Sequence, residues 1–174
     1  MAGRDFDSSA AQRWFLQDPA QAATVDEITL NDFTPTPLAV NVAGASTAED
    51  TPVILYQDND DPNERFTAIS ADRTGEDDCY YLAYGGKYIN STSADPRNPH
   101  DGNQVTLNAF SPNDDGYLWC AKPNGSNGMF LSNHLTTALD QRLYLTAHGE
   151  NNQLTIGERV PGIPTDLWGL MPVS

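Results

Sequence analysis

An aromatic residue flanked by apolar neighbours recurs through this sequence at nearly constant spacing. It is Phe66 in Asn63-Glu64-Arg65-Phe66, Trp119 in Gly116-Tyr117-Leu118-Trp119 and Trp168 in Thr165-Asp166-Leu167-Trp168, 53 and then 49 residues apart. A related marker, Trp14 in Ala11-Gln12-Arg13-Trp14, stands 52 residues before Phe66. A period near fifty implies repeated supersecondary units that bury their apolar faces against one another. Within each unit the helical period is nearly absent. Short β-rich runs alternate instead with Gly, Pro, Asn and Asp clusters. Strands are expected at 24–30, 38–42, 52–57, 63–69, 78–84, 87–91, 104–108, 117–122, 128–132, 142–147, 153–157 and 166–171. The breakers between them include Pro35-Thr36-Pro37, Asp58-Asn59-Asp60-Asp61-Pro62, Gly85-Gly86 and Asn124-Gly125-Ser126-Asn127-Gly128.

Twelve strands in three units of four point to an all-β closed barrel with pseudo-threefold symmetry, a β-trefoil. Closure removes the sheet edges that would otherwise pair with other chains. A four-bladed propeller also uses four strands per unit, but only 13 residues precede Trp14, too few for a fourth unit. Phe66, Trp119 and Trp168 are expected to meet in the core, close to the pseudo-threefold axis. The chain of 174 residues divides into an N-terminal extension or extra strand, 1–23, and one domain, 24–174, with repeats of about 24–72, 73–123 and 124–174. A domain of this size, 39% apolar, buries enough surface to need no covalent staple. Cys79 and Cys120 fall on different strands and are expected to stay unlinked thiols. The opening Met1-Ala2-Gly3-Arg4-Asp5-Phe6-Asp7 carries no apolar leader, and no run approaches the roughly 20 apolar residues that span a bilayer. Cytoplasmic residence is the resulting expectation. A net charge of −15 repels phosphate backbones and anionic membranes, so neither nucleic acid nor membrane insertion is expected. Its simplest use is solubility.

The first unit is the most specific. It reads Val40-Asn41-Val42-Ala43-Gly44-Ala45-Ser46-Thr47-Ala48-Glu49-Asp50-Thr51-Pro52-Val53-Ile54-Leu55-Tyr56 and closes with Asn63-Glu64-Arg65-Phe66. This resembles the repeat of the ricin B-like lectins: Leu-Asp-Val, a polar turn, Gly-Thr-Pro-Val, Leu-Trp, then Asn-Gln-x-Trp. The resemblance sets Asn41 at the sugar-binding Asp, Tyr56 at the stacking aromatic, Asn63 and Glu64 at the Asn-Gln pair, and Phe66 at the core Trp. In the second unit Tyr88-Ile89-Asn90 resembles the sugar-Asp strand, but Asn108 stands at the stacking position and Gly116-Tyr117 at the Asn-Gln pair. In the third, Thr146 replaces the Asp and Gly157 the aromatic. The family's usual disulfides are not reproduced.

The resemblance implies a lectin that binds glycans reversibly, with no catalysis, metal or cofactor. The chemistry suits the residues: a Tyr ring packs on the C–H face of a pyranose while amides and carboxylates hold its hydroxyls. The candidate sugar-binding residues are Asn41, Tyr56, Asn63, Glu64 and Asn90, with one competent site per chain, in the first unit. Each also has a structural role open to it, as a turn former or a half-buried strand residue. Two other readings stay open: a β-trefoil protease inhibitor acting through loop 124–128, and a protein-interaction module that has lost its sugar sites. His100, His134 and His148 are isolated and lack zinc-ligand spacing with the cysteines. The acidic run 58–64 lacks the glycine and terminal Glu of an EF-hand loop and reads as a solvated hairpin loop. Asn90-Ser91-Thr92 is a glycosylation sequon with no secretory signal beside it.

Overall fold

The structure, a computed structural model, describes residues 25–32, 38–71, 79–91, 102–112, 114–123, 128–136, 141–159 and 167–172. Trp14, His100, Pro35-Thr36-Pro37 and loop positions 124–127 lie outside them. Among the described residues there are twelve strands: β1 (Val25–Asp32), β2 (Leu38–Val42), β3 (Thr51–Gln57), β4 (Phe66–Ser70), β5 (Cys79–Tyr84), β6 (Lys87–Asn90), β7 (Thr106–Asn108), β8 (Trp119–Pro123), β9 (Met129–Thr136), β10 (Arg142–Thr146), β11 (Thr155–Gly157) and β12 (Leu167–Pro172).

Six of these strands close a barrel. β1 pairs with β4, β4 with β5, β5 with β8, β8 with β9, β9 with β12, and β12 returns to β1, every pair antiparallel. The other six form three hairpins, β2–β3, β6–β7 and β10–β11. The hairpins meet in a ring of three backbone hydrogen bonds. Val53 N–H donates to Val105 C=O (3.1 Å), Val105 N–H to Leu154 C=O (2.9 Å), and Leu154 N–H to Val53 C=O (2.9 Å). One residue per unit, each fully buried, thus marks the pseudo-threefold axis.

The core follows from strand alternation. Along β3 the side chains of Thr51, Val53 and Leu55 point inward, while Pro52 and Tyr56 face out. Phe66, Trp119 and Trp168 are completely buried in one apolar cluster with Val53, Val105 and Leu154. Trp119 Nε1 donates to the carbonyl of Ile89, and Trp168 Nε1 to that of Leu145, both at 3.0 Å. Ile89 and Leu145 directly precede Asn90 and Thr146, so the two units are superposable down to a side-chain bond. Phe66, with no N–H, fills the same place in the first unit without needing an acceptor. The β5–β6 hairpin turns on Gly85 and Gly86, both at positive φ, as a two-residue loop between right-twisted strands requires.

Two expectations are corrected here. The strands expected from 63 and 117 begin at Phe66 and Trp119, because Pro62–Glu64 and Asp115–Tyr117 each wind into one 3₁₀ turn. The cysteines are not free thiols: Cys79 and Cys120 form a disulfide. Barrel closure makes β5 and β8 neighbours and sets Cys79 directly opposite Cys120, Cα atoms 4.0 Å apart. Both lie buried in a small cluster with Leu118, separate from the main core.

Candidate functional site

The β2–β3 hairpin and the 3₁₀ turn Pro62–Glu64 bring Asn41, Asn63 and Glu64 together, with Tyr56 on the same hairpin. Its register sets Asn41 opposite Ile54 and Ala39 opposite Tyr56. Residues directly opposite in an antiparallel pair share a face, so Asn41 and Tyr56 are diagonal neighbours on one face, Asn41 buried and Tyr56 exposed. Tyr56 is 36% exposed, one of two large apolar residues so presented among the described residues. The small Ala39 opposite it leaves the ring uncovered.

The 3₁₀ turn after Pro62 brings the polar residues up to Asn41. Asn63 Nδ2 donates to Asn41 Oδ1 and to the Val42 carbonyl, both at 2.9 Å. Asn41 Nδ2 donates to Glu64 Oε1 at 3.3 Å. The backbone N–H of Asn59 donates to the other oxygen, Glu64 Oε2, at 3.3 Å. A carboxylate only accepts, so Asn41 must turn its amide nitrogen to Glu64 and its oxygen to Asn63. Asn63 spends both N–H groups in this chain and keeps its own oxygen as an acceptor. Glu64 is fully buried, and burial pushes its carboxyl above the ordinary value, against the hydrogen bonds from Asn59 and Asn41. The family pattern has a carboxylate at position 41 and an amide at 64. Here the two have exchanged, so the charge sits on the more deeply buried side chain.

Asn90 is not part of this group. It lies at the matching position of the second unit, fully buried, where its Oδ1 accepts from Thr106 Oγ1 (3.2 Å) and Asn108 Nδ2 (3.0 Å). Asn108 Oδ1 in turn accepts the Asp50 N–H at 2.8 Å. The sequon on Asn90 is therefore closed off in the folded chain. Gly116 takes the place of Asn63. A Cβ there would stand 2.5 Å from the Ser91 carbonyl, so the backbones of the two segments meet where a side chain lies in the first unit.

The register also exposes residues that position-by-position reading overlooks. The stacking position is empty of aromatics at Asn108 and Gly157, but directly across from them stand Tyr88 and Tyr144. In each hairpin the pair holds one ring and one small or polar residue: Tyr56 with Ala39, Tyr88 with Asn108, Tyr144 with Gly157. The ring has changed strands. The alternation Tyr88-x-Asn90 and Tyr144-x-Thr146 was the available signal, since it puts each ring on the face of the polar residue. Among the histidines, His148 Nε2 lies 2.7 Å from Thr155 Oγ1, and His134 Nδ1 lies 3.5 Å from Asp115. The acidic run expected to be a solvated hairpin loop is solvated only in part. Asn59, Asp60 and Asp61 are exposed, with Arg65 bonded to Asp60 at 2.8 Å, but Glu64 is buried. The run joins β3 to β4, which do not pair with each other.

No family model matches the chain, and no curated protein matches it in sequence. Solved structures do match it. A designed threefold-symmetric protein, ThreeFoil, superposes with a TM-score of 0.69 at 18% identity, over 84% of this chain and 99% of that one. A Polyporus squamosus lectin bound to the epitope Neu5Aca2-6Galb1-4GlcNAc superposes at 0.64 with 13% identity, over 87% of this chain and 50% of that one. An agglutinin from Abrus precatorius superposes at 0.58 with 14% identity, over 90% of this chain and 51% of that one. The chain spans about half the length of these two. At such identities the likeness is one of fold: the chain is a β-trefoil, and its resemblance to the ricin B-like lectins holds at that level.

Proposed function

We propose that this β-trefoil is a carbohydrate-binding module, a lectin without catalytic activity, whose ligand sits on the first hairpin. The observation that carries the reading is the hydrogen-bonded chain Asn63–Asn41–Glu64, with Asn41 and Glu64 buried, set on the same hairpin face as the exposed ring of Tyr56. Tyr56 supplies an apolar platform with little ordering cost, and the Asn63 oxygen and the second N–H of Asn41 supply orientation. The partners are glycans or glycoproteins. Recognition is reversible in this reading: a pre-bonded polar floor orients the ligand through hydrogen bonds alone. The lectin and agglutinin among the structural neighbours support this reading through their shared fold.

The test is titration of the tightest glycan from an array into wild type and Tyr56→Ala. Loss of the ring removes both its face and the apolar area it covers, at about 25 cal/mol per Å². Binding should weaken roughly tenfold to a hundredfold, at about 1.4 kcal/mol per decade. Circular dichroism should stay unchanged, because Tyr56 lies outside the buried cluster. Absence of any glycan ligand for the wild type would refute the lectin reading.

A further inference from the structure

We propose that the second unit presents a docking surface for a basic polypeptide segment, with the Phe110 ring as its apolar anchor and the carboxylates of Glu49, Asp50 and Asp114 as its rim. The surface lies apart from the Tyr56 hairpin, and the inference does not depend on the lectin reading.

Phe110 is 41% exposed, more than any other large apolar side chain among the described residues. Its position is nonetheless fixed. The ring centroid lies 5.0 Å from that of Tyr81, 5.0 Å from Tyr88 and 5.6 Å from Tyr117. The Tyr117 hydroxyl donates to the Ala109 carbonyl at 2.6 Å and holds the backbone just before the ring.

Carboxylates reach the same segment from two loops. Glu49 Oε2 accepts the Ala109 N–H at 3.1 Å, one residue before Phe110. The Asp50 N–H donates to Asn108 Oδ1 at 2.8 Å, two residues before it. Asp114 closes the turn that follows, its N–H donating to the Ser111 carbonyl at 3.2 Å and its Oδ1 accepting from the Gly116 N–H at 2.8 Å. Glu49 and Asp50 are exposed, and Asp114 is half-buried. Lys87 is bonded to Glu49 and compensates that charge. Among the described residues no cation pairs with Asp50 or Asp114. Burial, and then the charges of Asp114, Glu49 and Asp50, raise the Tyr117 hydroxyl above its ordinary value, in keeping with negative charge gathered beside the rings.

An apolar ring in a negative field selects its occupant. A second copy of the chain carries a net charge of −15 and is repelled. An arginine or lysine gains on both counts, because its charge meets the carboxylates while its flat head or methylene stem lies on the ring. A globular partner covers about 800 Å² per side, of which one ring is a small part. A short extended segment needs only such an anchor with charge beside it.

The probe is a fluorescein-labelled peptide of alternating arginine and glycine, with its glutamate counterpart as control, read by fluorescence anisotropy. The wild type should bind the arginine peptide alone, and less tightly as salt is raised. Phe110→Leu keeps apolar volume without the ring and should weaken binding roughly fivefold. Asp50→Asn/Asp114→Asn should weaken it as much. Asn tolerates the positive φ of 58° at position 50, and an amide oxygen at 114 still accepts the Gly116 N–H. Asp60→Asn/Asp61→Asn removes the same charge from the first-unit loop, and Tyr56→Ala removes the other exposed ring. Both should stay within about twofold of wild type. Equal weakening by the two double variants would show diffuse charge attraction and overturn the proposal. So would a wild type that ignores the peptide, or Phe110→Leu binding it unchanged. Displacement of the peptide by a neutral glycan would make the surface a sugar site instead. Self-association that Phe110→Leu abolishes, seen by sedimentation, would assign it to a second copy.

Discussion

At the scale of single residues, the first-unit site turns on where one negative charge is kept. Asn41 and Glu64 hold the amide and carboxylate in the reverse order of the family pattern, yet the hydrogen bonds close. Composition and motif could show the exchange, but not that Glu64 would be fully buried; that depends on the 3₁₀ turn at Pro62. The burial has a measurable consequence. The folded-state value of Glu64 is raised, so the native chain holds this proton more tightly than the unfolded chain does. Its contribution is therefore most favourable below the unfolded value, near pH 4, and is lost as pH rises through the folded one. Glu64→Gln cannot titrate. Denaturation midpoints of wild type and Glu64→Gln, measured at steps from about pH 4 to pH 7, should show the wild type losing stability relative to the variant as pH rises. Parallel curves would show that the buried carboxyl has an ordinary titration.

Among the secondary-structure elements, strands were the most legible feature, because hydrophobic alternation and turn residues act locally. β2 runs over Leu38–Val42 as its pattern requires, and Gly85-Gly86 turns where expected. What stayed hidden was pairing between strands distant in sequence. The Cys79–Cys120 bond does not show in a linear reading, since it needs the register of β5 on β8. The alternation Tyr88-x-Asn90 gives only the face of the ring; that it stands across from position 108 needs the register of β6 on β7. The disulfide closes a loop with a sequence separation of 41. Loop-closure entropy makes such a bond worth roughly 2–4 kcal/mol. Cys79→Ser/Cys120→Ser should lower unfolding stability by about that amount, read from urea curves under non-reducing conditions. Wild type in excess reductant should approach the double variant. Coincident curves for all three samples would show that the bond contributes nothing. The compartment bears on this directly: a cytoplasmic chain would carry the pair as thiols, an exported one as the bond. Alkylation of the chain taken from cells under non-reducing conditions separates the two.

For the whole molecule, symmetry and its erosion set the valency. The three-bond ring at Val53, Val105 and Leu154 ties the hairpins together on one axis, so their outer faces are fixed in relative direction. Binding sites on two hairpins cannot fold onto a single small glycan. They can reach two glycans on separate surfaces. The sequence alone favoured one competent site, and a single-site chain cross-links cells only as an oligomer. With the first hairpin alone active, a monomer binds one glycan-coated surface without bridging two. Linking two weak sites raises avidity by roughly 10² to 10⁴ without any new contact, provided the geometry allows both to engage. Repulsion from the net charge of −15 works against self-association, so the monomer is the species to examine. Chain shown to be monomeric by sedimentation should bind beads coated with the tightest array glycan without agglutinating them. Tyr56→Ala should bind the same beads roughly tenfold to a hundredfold more weakly. Agglutination by the monomeric wild type would show a second contact elsewhere on the trefoil, with the Tyr88 and Tyr144 hairpins the next to substitute.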